Sequence, residues 1–181
     1  MKKFIITLLF VGLLPFASFA VDADGVNLPG NYSLNEKNLI LNGYGYRKKF
    51  FVKVYIGALY VEHKTTDIKQ LEGMDTKVIK MHFVYKEVAK EKLIETFLEG
   101  FEKNGYPAAK DIFAQFLDIF SFDVKANDEI DLILMKNKTT VKLNGNIIGE
   151  LEIDGLSEAV FKIYFGDSPA DKGLKKAMLG N

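Results

Sequence analysis

The sequence predicts an α+β domain built on an antiparallel sheet. Three observations carry that expectation. Several short runs are rich in aromatic and β-branched residues, two consecutive stretches place apolar residues at helical spacing, and the order is strands, helical pair, strands, helices.

The chain opens on Met1-Lys2-Lys3, an apolar stretch from Phe4 to Phe16, and small residues around Ser18-Phe19-Ala20, the pattern of a secretory signal cleaved before Val21. That stretch is shorter than the roughly twenty residues that span a bilayer, and Pro15 interrupts it. The expectation is therefore a periplasmic or secreted protein, with residues 1–20 as signal, residues 21–181 as one domain, and no stable membrane insertion after cleavage.

Leu39 to Leu41 reads as a short strand ending at Gly43 and Gly45. Phe50 to Val61 is almost continuously apolar, as in a strand covered on both faces, and Gly57 in its middle marks a bulge or a close approach by another group. Asp67 to Leu71 reads as one helical turn and Lys77 to Tyr85 as another strand. Leu93, Ile94, Phe97, Leu98 and Phe101 form one helical stripe, and Ile112, Phe113, Phe116, Leu117 and Phe120 a second. Asn104-Gly105-Tyr106-Pro107 divides them, glycine closing the first helix and proline opening the second.

Ile130 to Met135 and Thr139 to Leu143 read as strands, and Asn144-Gly145-Asn146 as the loop of a hairpin to Ile147–Ile153. A three-residue loop would set Val141 and Leu143 on one face with Ile147, Leu151 and Ile153, and is the register expected. The final helix opens at Ser168-Pro169-Ala170-Asp171, where serine can cap, proline fits the first turn and aspartate meets the helix dipole.

Composition excludes several classes. There is no cysteine, hence no disulfide and no thiol chemistry. Without Lys2 and Lys3, 22 basic residues stand against 24 acidic ones, with both signs interspersed, so no nucleic-acid partner is expected. His63 and His82 lack carboxylate or cysteine neighbours at ligand spacing and read as structural or surface residues, so no metal is expected. No Gly-x-Ser-x-Gly elbow occurs, and Gly43-x-Gly45 lacks the third glycine and following helix of a dinucleotide site, so no cofactor is expected.

Arg47 is the only arginine among 24 basic residues. A planar guanidinium fork can hold a carboxylate through two hydrogen bonds, which a lysine cannot do. It is either a site residue chosen for shape or an ordinary surface pair. On the following strand, alternation puts Phe51, Lys53, Tyr55, Gly57 and Leu59 on one face and Val52, Val54, Ile56, Ala58 and Tyr60 on the other. Arg47 and Tyr55 are accordingly the candidate ligand-binding pair, for a small apolar ligand bearing a carboxylate. The phenylalanines of the helical pair either enclose its apolar part or fill the core.

The run Leu41-Asn-Gly-Tyr-Gly-Tyr-Arg47-Lys-Lys-Phe-Phe-Val-Lys-Val-Tyr55-Ile-Gly-Ala-Leu-Tyr60-Val resembles the opening strands of chalcone isomerase-like proteins, in particular a secreted bacterial branch. Leu156-Ser-Glu-Ala-Val160 and Phe165-Gly-Asp-Ser-Pro169 through Gly180 resemble the family's end. The resemblance implies an open-faced sandwich, a large antiparallel sheet against a helical layer with a ligand cleft between. It sets Arg47 at the arginine that contacts the ligand's charged end. Tyr55 falls where the plant enzymes carry a threonine and the fatty-acid-binding relatives a tyrosine. Lys92 and Glu99 fall where the enzymes use a tyrosine and an asparagine, so the hydrogen-bond network for ring closure is not visible here.

Three functions follow as expectations. The first is non-catalytic binding of a carboxylate-bearing apolar ligand, such as a fatty acid, by Arg47 and Tyr55. The second is an isomerase or intramolecular lyase acting on an enone, with Arg47 and Lys92 stabilising developing negative charge. The third is a protein-interaction module in which Arg47 pairs with an internal carboxylate. Oligomeric state is not written in the sequence.

Overall fold

The computed structural model describes residues 20–181. The expected signal segment, apart from Ala20, lies outside them. Strands β1 (Val21–Ala23) and β2 (Val26–Leu28) form a small hairpin, followed by β3 (Asn31–Leu34), the long β4 (Lys37–Lys49) and β5 (Val52–Val61). Helix α1 (Ile68–Gly73) leads into β6 (Thr76–Phe83) and the short β7 (Glu87–Val88). Then come α2 (Lys90–Lys103), α3 (Ala109–Ile112) and α4 (Ala114–Asp118). The remaining elements are β8 (Val124–Lys125), β9 (Glu129–Met135), β10 (Lys138–Leu143), β11 (Asn146–Leu151), α5 (Leu156–Phe165) and α6 (Lys172–Met178).

Seven strands form one antiparallel sheet in the order β11-β10-β9-β6-β5-β4-β3. Its central strands are covered on both faces, as the apolar run of β5 requires. One face carries Leu59, Val61, Ile79, Met81 and Leu132 against the helices. The other carries Ile56, Ala58, Tyr60, Val78 and Ile133 against the β1–β2 hairpin. The fold is thus the α+β sandwich expected from the order of elements.

The helical phenylalanines fill the core. Phe97 stacks on Phe120 with ring centroids 4.8 Å apart, and Phe101 lies 5.0 Å from Phe113. All five expected rings are buried, each worth about 1.5–3 kcal/mol by area removed from water. The second helical stripe is not one helix. It breaks at Phe113, whose backbone leaves the helical region, and Ile112 is 55% exposed. The break leaves Ile112 in solvent while Phe113 and Phe116 stay buried.

Two other expectations are corrected. Asn144-Gly145 makes a two-residue turn, with Leu143 opposite Asn146. A bulge at Ile148 then resets the register, so that Val141 faces Gly149 and Thr139 faces Leu151. Leu151 reaches the core side as expected, but Ile147 and Ile148 are exposed. At the C-terminus Asp171, not Ser168, caps α6: its Oδ1 accepts from Leu174 N at 2.9 Å.

The Gly43-x-Gly45 pair does not end a strand but forms the landing strip for α6. Gly45 lies opposite Gly57 in the sheet. A Cβ on Gly43 would meet Ala177 O at 2.3 Å, on Gly45 the Ala177 Cβ at 2.6 Å, and on Gly57 the Leu174 Cδ1 at 2.9 Å. Close approach at Gly57 was one of its two expected meanings. The helix is fastened at its far end by Asn42, the extra residue of a bulge in β4, whose Nδ2 donates to Met178 O and Thr65 O. Gly45→Ala is expected to destabilise the fold by about 1–3 kcal/mol, because the new methyl overpacks against a helix tied at both ends. Gly73→Ala, where a Cβ meets nothing within 4 Å, is the control expected to stay within about 0.5 kcal/mol; urea unfolding of both reads the difference.

Candidate functional site

β4 and β5 set the site. Arg47 lies opposite Tyr55 in the antiparallel register, so the two side chains share the helical face. One step further the alternation fails. Lys48 pairs with Lys53, which leaves Val54 as the extra residue of a bulge. The bulge turns Lys53 to the opposite face, where its ammonium sits 4.2 Å from the centre of the Tyr46 ring and pairs with Asp24. Val52 and Val54 swing toward the helices instead. The expected grouping of Lys53 with Tyr55 is thereby corrected, and an apolar wall is gained where a charge would have stood.

The result is a cleft of about 510 Å³ between the ends of β4, β5 and β6 and the first half of α2. Arg47 and Tyr55 lie on one wall with Val54 and Phe83; Lys92, Leu93, Thr96 and Glu99 line the other. All four positions singled out in the sequence therefore meet in one place. The sequence reading missed Val54, whose bulge leaves no signature in the residue pattern, and Phe83, which falls inside the strand run Lys77 to Tyr85 without a distinguishing neighbour.

The Arg47 guanidinium is half-buried. Its Nη1 lies 3.6 Å from Asp171 Oδ2 and donates to Lys48 O. Asp171 Oδ2 also accepts from Lys48 N at 3.2 Å. Both contacts of the guanidinium use the same nitrogen, and among the described residues Nε and Nη2 make no hydrogen bond. An internal carboxylate does pair with Arg47, as the third expectation required, yet it occupies one corner of the fork.

Tyr55 is buried, its ring 5.3 Å from that of Phe83. Burial pushes its phenol up to about 12, against the opposing pull of Arg47 and of the Tyr164 hydroxyl beside it. Tyr55 is therefore a neutral hydrogen-bond donor at any physiological pH. On α2 the Lys92 ammonium pairs with Glu95, which raises its pKa and keeps it charged. Glu99 pairs with Lys103 at 3.1 Å. Both face the cleft while bonded along their own helix.

A second cleft, about 660 Å³, lies at the other end of the sheet among Glu72, Asp75, Lys77, Lys136, Glu158 and Lys162. It is larger but lined by charges with partners nearby: Lys77 donates to Glu72 O and Met74 O, and Lys162 pairs with Glu158. None of the candidate residues reaches it. The smaller, more apolar cleft is the better match to a ligand site.

The histidines stand apart from both clefts' chemistry. His63 is exposed. His82 has a carboxylate neighbour that sequence spacing could not show, Glu129 on the adjacent strand, 3.1 Å from Nδ1. Glu129 also binds Lys80, which reaches Asp131, which accepts from the Tyr32 hydroxyl at 2.8 Å. This chain of charges lies on the sheet face away from α2. Among the described residues no three histidine, aspartate or glutamate side chains gather as a metal site.

Comparison with solved structures places the chain beside an Arabidopsis thaliana fatty-acid binding protein, at a TM-score of 0.69 and 18% identity, covering 89% of this chain and 96% of that one. The likeness is one of fold. The comparison with curated proteins returned no match. A family model described as chalcone isomerase-like matches residues 20–180, nearly the whole described chain and both motifs that carried the resemblance. The chain belongs to the chalcone isomerase-like family.

Proposed function

We propose that this protein is an exported, non-catalytic carrier of a small apolar carboxylate, a fatty acid being the best fit, held in the cleft between β4–β6 and α2. One observation carries the reading: Arg47, with one edge of its fork unbonded, and the neutral phenol of Tyr55 line the same cleft beside the apolar side chains of Val54, Phe83, Val88 and Leu93. Nε and Nη2 present two parallel donors, the geometry a carboxylate accepts, and the Tyr55 hydroxyl supplies a third. Val54, Phe83, Val88 and Leu93 take the chain. A volume of about 510 Å³ lies within the usual range of ligand pockets. A protein of the same fold is named for fatty-acid binding, which agrees with this reading.

The enzyme reading has Arg47 and Lys92 stabilising developing negative charge, and both line the cleft, but turnover also asks for a group that moves a proton near neutral pH. Tyr55 holds its proton too firmly, and Lys92 is kept charged by Glu95. Lys92 is better suited to steering an anion toward Arg47 than to acting as a base.

The test begins with the exported protein, purified without detergent and extracted for mass spectrometry beside its Arg47 variants. A straight-chain carboxylate in the wild type, with Arg47→Ala and Arg47→Lys each weakening affinity about tenfold or more, is the expected result. Lysine restoring full affinity would refute the fork argument, and an undiminished load in Arg47→Ala would refute the site. Tyr55 gives an independent check through pH. Its folded phenol keeps a proton that the unfolded chain releases near 10.0, so stability falls as pH rises from about 10 to about 12. Tyr55→Phe has no proton to lose, and is expected to shallow that fall by on the order of 2–3 kcal/mol in urea unfolding series across the window.

A further inference from the structure

The β4–β5 hairpin breaks a rule that the other tight turns keep. Where the chain needs a positive φ in a two-residue turn, it uses Asp24-Gly25, Asn35-Glu36 and Asn144-Gly145, with aspartate or asparagine in the strained position. The β4–β5 turn is Phe50-Phe51, and Phe50 sits at φ 56°. A bulky side chain there is strained, and this one gains nothing from burial: Phe50 is 88% and Phe51 99% exposed. Both costs would vanish with Asn-Gly. The turn is therefore carrying its rings for something outside the fold.

What surrounds the tip points to the occupant. Val52, Val84 and Tyr85 are also exposed, and the backbone amides of Val84 and Tyr85 donate to Val54 O at 3.0 and 3.1 Å, holding that segment against the base of the hairpin. Lys48 and Lys49 precede the two phenylalanines and Lys86 follows Tyr85. Among the described residues none of these three ammonium groups joins an ion pair, although most other lysines near the cleft do. Phe50 and Val52 also line the mouth of the cleft. Exposed aromatic rings ringed by free lysines match the boundary between lipid headgroups and acyl chains. Lysine is depleted in the cores of protein interfaces, whereas each one near an anionic bilayer is favourable. No helix among the described residues is long and apolar enough to cross a membrane.

We propose that the Phe50-Phe51 tip docks on the surface of an anionic lipid bilayer, its rings at the headgroup boundary and Lys48, Lys49 and Lys86 against lipid phosphates. This sets the mouth of the cleft on the membrane. An apolar carboxylate then passes between bilayer and cleft without crossing water; that consequence rests on the function proposed above, whereas docking itself does not.

The test is flotation of the exported protein, produced from the full chain, with vesicles of phosphatidylcholine alone or mixed with phosphatidylglycerol. Flotation with the mixed vesicles, at least tenfold weaker on the neutral ones and weakened by high salt, is the expected result. Phe51→Ser and the double variant Lys48→Gln/Lys86→Gln should each reduce it about tenfold or more. These three side chains lie off the cleft wall, so affinity for a fluorescent fatty acid in vesicle-free solution should stay as in the wild type. Absent flotation overturns the proposal, as does flotation unchanged in both variants, or a tip that pairs with a second copy instead. Docking without fatty-acid affinity would sink the ligand reading alone, and affinity without docking would sink this one alone.

Discussion

The Asp171 carboxylate is the constraint on which the cleft depends. One oxygen caps α6 through Leu174 N; the other accepts from Lys48 N and faces the Arg47 guanidinium. A single side chain thus fixes where the last helix begins, where β4 ends and how the arginine points. The three glycines under α6 make this possible, because any Cβ on them would lift the helix off the sheet. Asn42 closes the arrangement at the other end of the same helix. The half-buried pair is not itself a large source of stability, since partial solvation screens it. Its effect is geometric: it commits one corner of the guanidinium and leaves the remaining edge directed and unused.

Much of this was legible in the residues. The apolar run of β5 signalled a strand covered on both faces, the helical stripes marked the layer above it, and the uniqueness of Arg47 singled out a residue that lines the cleft. What escaped the sequence has a common physical cause. Bulges at Asn42, Val54 and Ile148 each reset which residues share a face, and a period-two reading carries no information about an inserted residue. Val54 shows the consequence most clearly, since strict alternation put Lys53 beside Tyr55 where the structure puts two valines. The glycine pair before Arg47 was misread for a related reason. Glycine ends strands more often than it receives a helix, and the helix that it receives lies more than a hundred residues later in the chain. Asp171 was seen as a dipole partner, but its contact with Arg47 is tertiary and has no local pattern.

The sheet divides its charges by face. Away from α2, Lys80 is pulled down by burial but held up by Asp131 and Glu129, which outweigh it, and Tyr32 closes the cluster. Each buried charge there has an opposite charge within reach, the condition under which burial is tolerable. On the helical face the core is aromatic, and charge enters at the two clefts at either end of the sheet. The same fold thereby keeps this buried cluster and the charges that line the Arg47 cleft on opposite sides of one sheet.

The distribution of strain makes the last point. Turns at residues 24, 35 and 144 place aspartate or asparagine at positive φ, and each is followed by the residue type that such turns favour or tolerate. In the second cleft Lys162 pairs with Glu158, and Lys77 donates to the Glu72 and Met74 carbonyls. Against this background three features collect at one end of the molecule: a strained phenylalanine, two exposed rings and an arginine used at one corner. A stability-neutral explanation would scatter such features, because most positions tolerate substitutions that relieve them. Their concentration where the cleft opens fits a surface shaped by what it contacts, with the fold beneath it supplying the rigidity that lets the costs be borne.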